Sequence, residues 1–159
     1  MIFDFGMLVP ADKKLDLAVY DNRQKIEIIE WIIANTMDNI ADELPCRHFV
    51  HGGMYERELF IPADVVLTGK IHLRDHIFYL LEGDLSVMTD EGIKRIQAPY
   101  RFDVKAGIKK IGYAHTDVLC TTIHRTDLTD IEEIEKELFD DGNTEWVGEI
   151  MRGLKCLQQ

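Results

Sequence analysis

Apolar residues recur at Ile26, Ile29, Ile33, Met37 and Ile40, three or four positions apart, and Ile28, Trp31 and Ile32 widen the stripe. That period is one face of an α-helix, and an arc so broad needs cover on more than one side. Asp21 or Asn22 is placed to cap the start and Pro45 to close the end. The pattern predicts a helix over 22–42, sandwiched between surfaces or packed on a second subunit.

From residue 46 the period changes to two. RHFVH, MYERELFI, DVVLT, HIFYLLEG, DLSVMT, IKRIQA, YRFDV and DVLCTTIH are short and rich in β-branched and aromatic residues. Turn signals such as His51-Gly52-Gly53, Asp90-Glu91-Gly92 and Lys105-Ala106-Gly107 separate them. No helical segment intervenes to make parallel crossovers, so 46–125 reads as an antiparallel sandwich or barrel. Helical spacing returns after 125. Thr129-Asp130-Ile131-Glu132 fits a capping box with Thr129 as the cap, and Ile131, Ile134 and Leu138 share a face. Asp140-Asp141-Gly142-Asn143 breaks the chain, and a second helix from near Thr144 carries Trp146, Val147, Ile150, Met151 and Leu154. The chain divides into a helical extension (1–45), a mainly β barrel (46–125) and acidic helices (126–159).

Composition narrows the function. Of 159 residues, 46% are apolar and 30% charged, an ordinary globular balance, and the net charge is −11. Such an acidic surface argues against non-specific nucleic-acid binding. The charge is uneven, however: Gly92–Arg125 holds seven bases and two acids. Cys46, Cys120 and Cys156 form no CxxC pair, so free thiols in a reducing cytosol are expected, with Cys120 a buried small hydrophobe. The N-terminal residues do not read as a signal peptide, and no apolar run is long enough to span a bilayer. No serine–histidine nucleophile pair, phosphate loop or dinucleotide glycine pattern is present.

The informative stretch runs from Gly69 to Leu85. On a continuous strand His72, Arg74, His76, Phe78 and Leu80 face one way and Ile71, Leu73, Ile77, Tyr79 and Leu81 the other. Two histidines followed by bulky apolar residues suit a barrel mouth. These residues resemble the first motif of the cupin superfamily: two His one residue apart, then Glu four positions later, then an apolar run ending in Gly. His72 matches the second His, His76 stands at the Glu position and Phe78–Gly83 matches the run. Lys70 replaces the first His. Lys105-Ala106-Gly107-Ile108-Lys109-Lys110 is similar to the second motif, with Lys105 replacing Pro and Lys110 standing at the His position. The runs ELFIPADVVLTGKIHLRDH, DEGIKRIQAP and GYAHTDVLCTTIHRT are similar to a family of small cupin-like proteins of tailed bacteriophages, mostly without assigned activity.

The resemblance implies a mainly β fold, a cupin double-stranded β-helix (jelly-roll barrel) flanked by an N-terminal helix and C-terminal helices. It implies His72 and His76 as ligands of a divalent metal (Zn, Fe, Ni or Mn). A third ligand could come from His48, His51, Glu56, Glu58, His115 or His124. Parity turns His115 away from Lys110, and His115 and His124 each read more simply as wall histidines. Lys110, Arg74 and Phe78 are the candidate ligand-binding residues. Lys110 either pairs with Glu56 or Glu58 or awaits an anion, and Lys109, Lys110 and Arg101 are either an anion patch or solvated edge-strand charges. The leading expectation is a phage-encoded homo-oligomer that binds a small polar or anionic ligand with little or no catalysis. One alternative is a virion or assembly accessory that docks other phage proteins; the other is a metal-dependent isomerase or dioxygenase. The expected location is the host cytoplasm or the virion.

Overall fold

A computed structural model describes residues 15–37 and 43–156. In chain order the elements are α1 (Asn22–Thr36), β1 (Cys46–His51), β2 (Met54–Ile61), β3 (Val66–Thr68), β4 (Ile71–His72), β5 (His76–Glu82), β6 (Asp84–Thr89), β7 (Gly92–Gln97), β8 (Tyr100–Val104), β9 (Ile111–Ala114), β10 (Val118–Arg125), α2 (Ile131–Leu138), β11 (Phe139–Asp140) and α3 (Glu145–Cys156).

Every strand pairing among the described residues is antiparallel. One sheet has the order β1-β2-β10-β5-β8 and the facing sheet β3-β9-β6-β7. A late strand lies between earlier ones in both sheets, β10 between β2 and β5 and β9 between β3 and β6, the order produced when two Greek keys wind into a jelly roll, an architecture that cupins share. The fold is therefore mainly β with helices at both ends, as expected. Period-2 alternation fills the space between the sheets with Ile61, Phe78, Leu80, Leu85, Val87 and Val118, among others.

The broad arc of α1 is covered within the chain. Ile26 and Ile29 pack on Met88 and Ile111 of the four-stranded sheet. Ile28 and Ile32 pack on Val147 and Met151 of α3. Asp21 caps the helix, its side chain accepting from the Gln24 N–H while Gln24 accepts from the Asp21 N–H. The helix is shorter than the expected 22–42. Asn35 and Thr36 bond back to the carbonyls of Trp31 and Ile32. Such side chains offer the backbone an alternative to further helix, and Met37 is an exposed cap. Ile40 lies outside the described residues, as do the side chain of Leu154 and residues 1–14.

Two other local expectations are corrected. Asp130, not Thr129, caps α2, its carboxylate accepting from the Glu133 N–H. Lys109 is neither a solvated nor an anion-patch lysine. It is 1% exposed, and its ammonium donates to Glu30 Oε1 at 2.7 Å and to the Asp141 carbonyl at 3.0 Å. It ties α1 to the loop before α3. α2 lays Ile134 and Leu138 on Tyr55, while β11 pairs with β4. The C-terminal segment thus closes over the strand that carries His72.

Candidate metal centre and barrel cavity

The strand expected through Gly69–Leu85 is interrupted. β4 ends at His72, the chain bends through Leu73–Asp75, and β5 starts at His76. Asp75 pins the bend, accepting from the Ala106 N–H and from Lys105 Nζ. The His72 carbonyl accepts from the Gly107 N–H, and the Leu73 N–H donates to the Leu138 carbonyl. These ties set His72 beside His76, with ring centroids 4.0 Å apart.

The third imidazole comes from β10. The register pairs Tyr55 with His124 and Ile123 with Ile77, which brings His124 next to His76. His72 Nδ1 and His124 Nε2 are 2.9 Å apart, and the His76 and His124 rings stack at 4.6 Å. All three are buried, and one nitrogen from each lies within 4.8 Å of the others. Phe139 closes the cluster edge-on against His72 and His124.

Burial holds all three rings neutral. It lowers His72 far below the ordinary imidazole value, His76 to about 3 and His124 to about 4, with the nearby Lys110 charge as the second cause in each case. Neutral imidazoles are the metal-binding form. His124 Nδ1 is buried without a hydrogen-bond partner. Nitrogens on one tetrahedral ion, each ~2.1 Å from it, stand ~3.4 Å apart, inside the spread of this cluster. The donor set therefore fits one divalent ion, which His72, His76 and His124 would hold.

Below the imidazoles the five-stranded sheet is layered by its register. Tyr55, His124 and His76 form one rung; Arg57, Thr122 and Phe78 the next; Leu59, Cys120 and Leu80 the third. Lys110 enters from the segment just before β9 of the facing sheet. Its Nζ is 3.4 Å from His76 Nε2 and 5.8 Å from the Phe78 ring centroid. Burial lowers its amine to about 8. A cavity of about 110 Å³ lies here, lined by Arg57, Leu59, His72, Phe78, Lys110 and Thr122 among others.

The structure thus brings His72, His76, Phe78 and Lys110 together. Arg74 is elsewhere: the bend ends the strand parity, and its guanidinium bonds Glu137 of α2 at 2.7 Å. Glu56 accepts from Thr121 Oγ1, and Glu58 bonds Arg47, so neither pairs with Lys110. His48 bonds the Tyr55 hydroxyl from within β1, His51 is exposed on the same strand, and His115 contacts Ser86 Oγ. Cys120 is buried in the core, which pushes its thiol up to about 11. Two cavity residues, Arg57 and Thr122, escaped the sequence reading. Arg57 had a signal: Tyr55, Arg57, Leu59 and Ile61 share one face, so the guanidinium had to point inward.

No family model matches the chain, and no curated protein matches it. Solved structures do. KdgF from Halomonas sp. is similar at 13% identity and a TM-score of 0.49, over 59% of this chain and 88% of that one. A cupin superfamily protein from Desulfitobacterium hafniense DCB-2 is similar at 9% identity and 0.47, over 53% and 78%. A cupin-2 domain containing protein from Shewanella frigidimarina NCIMB 400 is similar at 13% identity and 0.44, over 58% and 98%. Among the described residues no helix is long and apolar enough to cross a membrane.

Proposed function

We propose that this chain is a phage-encoded cupin-like protein that holds a divalent metal ion on His72, His76 and His124 and binds a small polar or anionic ligand beside it, with little or no turnover. The observation that carries the reading is the buried cluster of three neutral imidazoles, one with an orphaned nitrogen. A nitrogen buried without a partner is costly, and a cation held by the three rings is one way to satisfy it. The lysines at two of the four positions where the cupin pattern has metal ligands, Lys70 and Lys110, favour binding over a metal-dependent reaction. The phage source, self-association, other phage proteins as partners and a host-cytoplasm or virion location belong to the same proposal and rest on the sequence runs. The apolar arc of α1, for which packing on a second subunit was one expectation, is covered inside the chain.

The test is linkage. Zn²⁺, Ni²⁺ or Fe²⁺ added to chelator-treated protein should raise the melting temperature, because an ion that binds only the native state stabilises it. His72→Ala with His76→Ala should abolish the shift, as should His124→Ala. An equal shift in these variants would place the ion elsewhere and end the reading.

A further inference from the structure

We propose that the barrel cavity is a site for a short-chain carboxylate of about two to four carbons, received by Arg57, Lys110 and Thr122. The proposal rests on the ligand-binding reading above and deepens it.

Charge and unmet hydrogen bonding select the ligand class. Arg57 Nε and Thr122 Oγ1 are buried with no hydrogen-bond partner among the described residues. Among the described residues the hydrogen-bond contact of Lys110 Nζ is to His76 Nε2, and no acid faces it within ion-pair distance. Glu135 is the acid nearest to Arg57, 3.9 Å from its Nε. It belongs to the outer vestibule and does not line the inner cavity. Two cationic side chains therefore face a cavity whose described lining holds no carboxylate. Lys110 is an enclosed cation without a counter-charge, which is expensive, and a metal ion on the three histidines would raise that cost, whereas the Arg57 side chain is 36% exposed and keeps Glu135 at 3.9 Å. A ligand carboxylate supplies the missing charge and several lone pairs, and it matches the planar donor fork of an arginine.

Size and wall chemistry select the chain. The cavity measures about 110 Å³, below the ~150 Å³ that holds benzene, which sets an upper bound of about six non-hydrogen atoms. Leu59, Leu85, Val87 and Cys120 form its deep wall. A fully polar anion would leave that wall without contacts, whereas one to three methylene or methyl carbons would cover it. Arg57 and His72 also line an outer vestibule of about 260 Å³, which holds Lys70 and Glu135 as well.

The experiment is calorimetric titration of chelator-treated full-length protein with acetate, propionate and butyrate, with propanamide, hexanoate and inorganic phosphate as comparisons. Propionate should bind at least tenfold more tightly than propanamide, and hexanoate and phosphate should bind at least tenfold more weakly than propionate. Lys110→Met and Thr122→Val should each weaken propionate at least fivefold. Thr122→Val keeps the side-chain shape, so it decides the matter if Lys110→Met does not fold. Equal binding of propanamide, equal binding of phosphate, or an undiminished Thr122→Val overturns the proposal. Carboxylate binding without any response to metal would sink the metal reading and leave this one standing. Metal binding on the histidines with acid and amide indistinguishable would do the reverse.

Discussion

At the scale of single residues, two devices assemble the imidazoles: a bend pinned by Asp75 sets His72 beside His76, and sheet register adds His124. His72 and His76 lie four positions apart, close enough for the sequence to pair them. His124 lies on a strand whose partner is set by register across the sheet, and nothing near residue 124 marks it as different from His115. Arg74 shows the opposite failure. The alternation argument assumed an unbroken strand, and a bend held by Asp75 removed it. Gly83, which ends the run that resembles the cupin motif, has a physical reason to be glycine. It joins β5 to β6 at φ +95°, and a Cβ there would lie 2.3 Å from the Asp117 carbonyl oxygen and 2.9 Å from Val118 Cγ2. Backbone and a core strand cannot both move aside. Gly83→Ala should therefore cost roughly 2–4 kcal/mol, from a disfavoured conformation and a core clash together. Urea titration should show a lower midpoint with an unchanged slope; an unchanged midpoint would mean that the turn has another conformation open to it.

At the scale of elements, periodicity identified α1 and the need to cover it twice, and both covers exist within the chain. Its end was not legible, because the stop is made by two polar side chains that bond their own helix. Nor was the clamp that orients it. Lys109 looked like half of a surface lysine pair, yet one residue separates a lysine facing the barrel from one facing α1, since neighbours on an extended segment point apart. Its partner Glu30 keeps one carboxylate oxygen buried without a bond. The pair therefore holds position at the edge of energetic balance. Breaking it from one side leaves a buried charge, worth about 3–5 kcal/mol, whereas replacing both members with apolar groups is often neutral. Lys109→Met should destabilise the protein by that amount, and Lys109→Met with Glu30→Leu should recover more than half of the loss. Chemical denaturation of the two variants checks this; a double variant no better than the single one would show that the pair is a net stabiliser.

At the scale of the whole molecule, strand count and turn spacing pointed to an antiparallel barrel, but strand order is a property of long-range pairing that local pattern does not encode. The resemblance to cupins supplied the jelly roll, and the observed order agrees with it. The way this fold encloses three imidazoles has a global consequence for metal-free protein. His76 and His124 are lowered to about 3 and 4, and His72 also well below its ordinary value, chiefly by burial. The unfolded chain takes up these protons near pH 6.5, and the native state refuses them until the medium is far more acidic. Stability rises with pH wherever the unfolded state binds more protons. The contribution is thus complete above about pH 6.5 and is lost as the pH falls toward the native values. Each imidazole gives a slope of roughly 1.4 kcal/mol per pH unit over that window, so about 2 kcal/mol disappears per ring between pH 7 and 5. Overall charge works the other way. The chain carries −11 at neutral pH, and acidification relieves that self-repulsion. A marked loss of stability between pH 7 and 5 therefore has the sign of the buried histidines and not of the acidic surface. Urea unfolding of chelator-treated protein at pH 7, 6 and 5 should show at least 3 kcal/mol of loss, reduced in His76→Gln and His124→Gln variants that still fold. Stability that holds or rises across that range would mean that the native cluster accepts protons readily and is open to water.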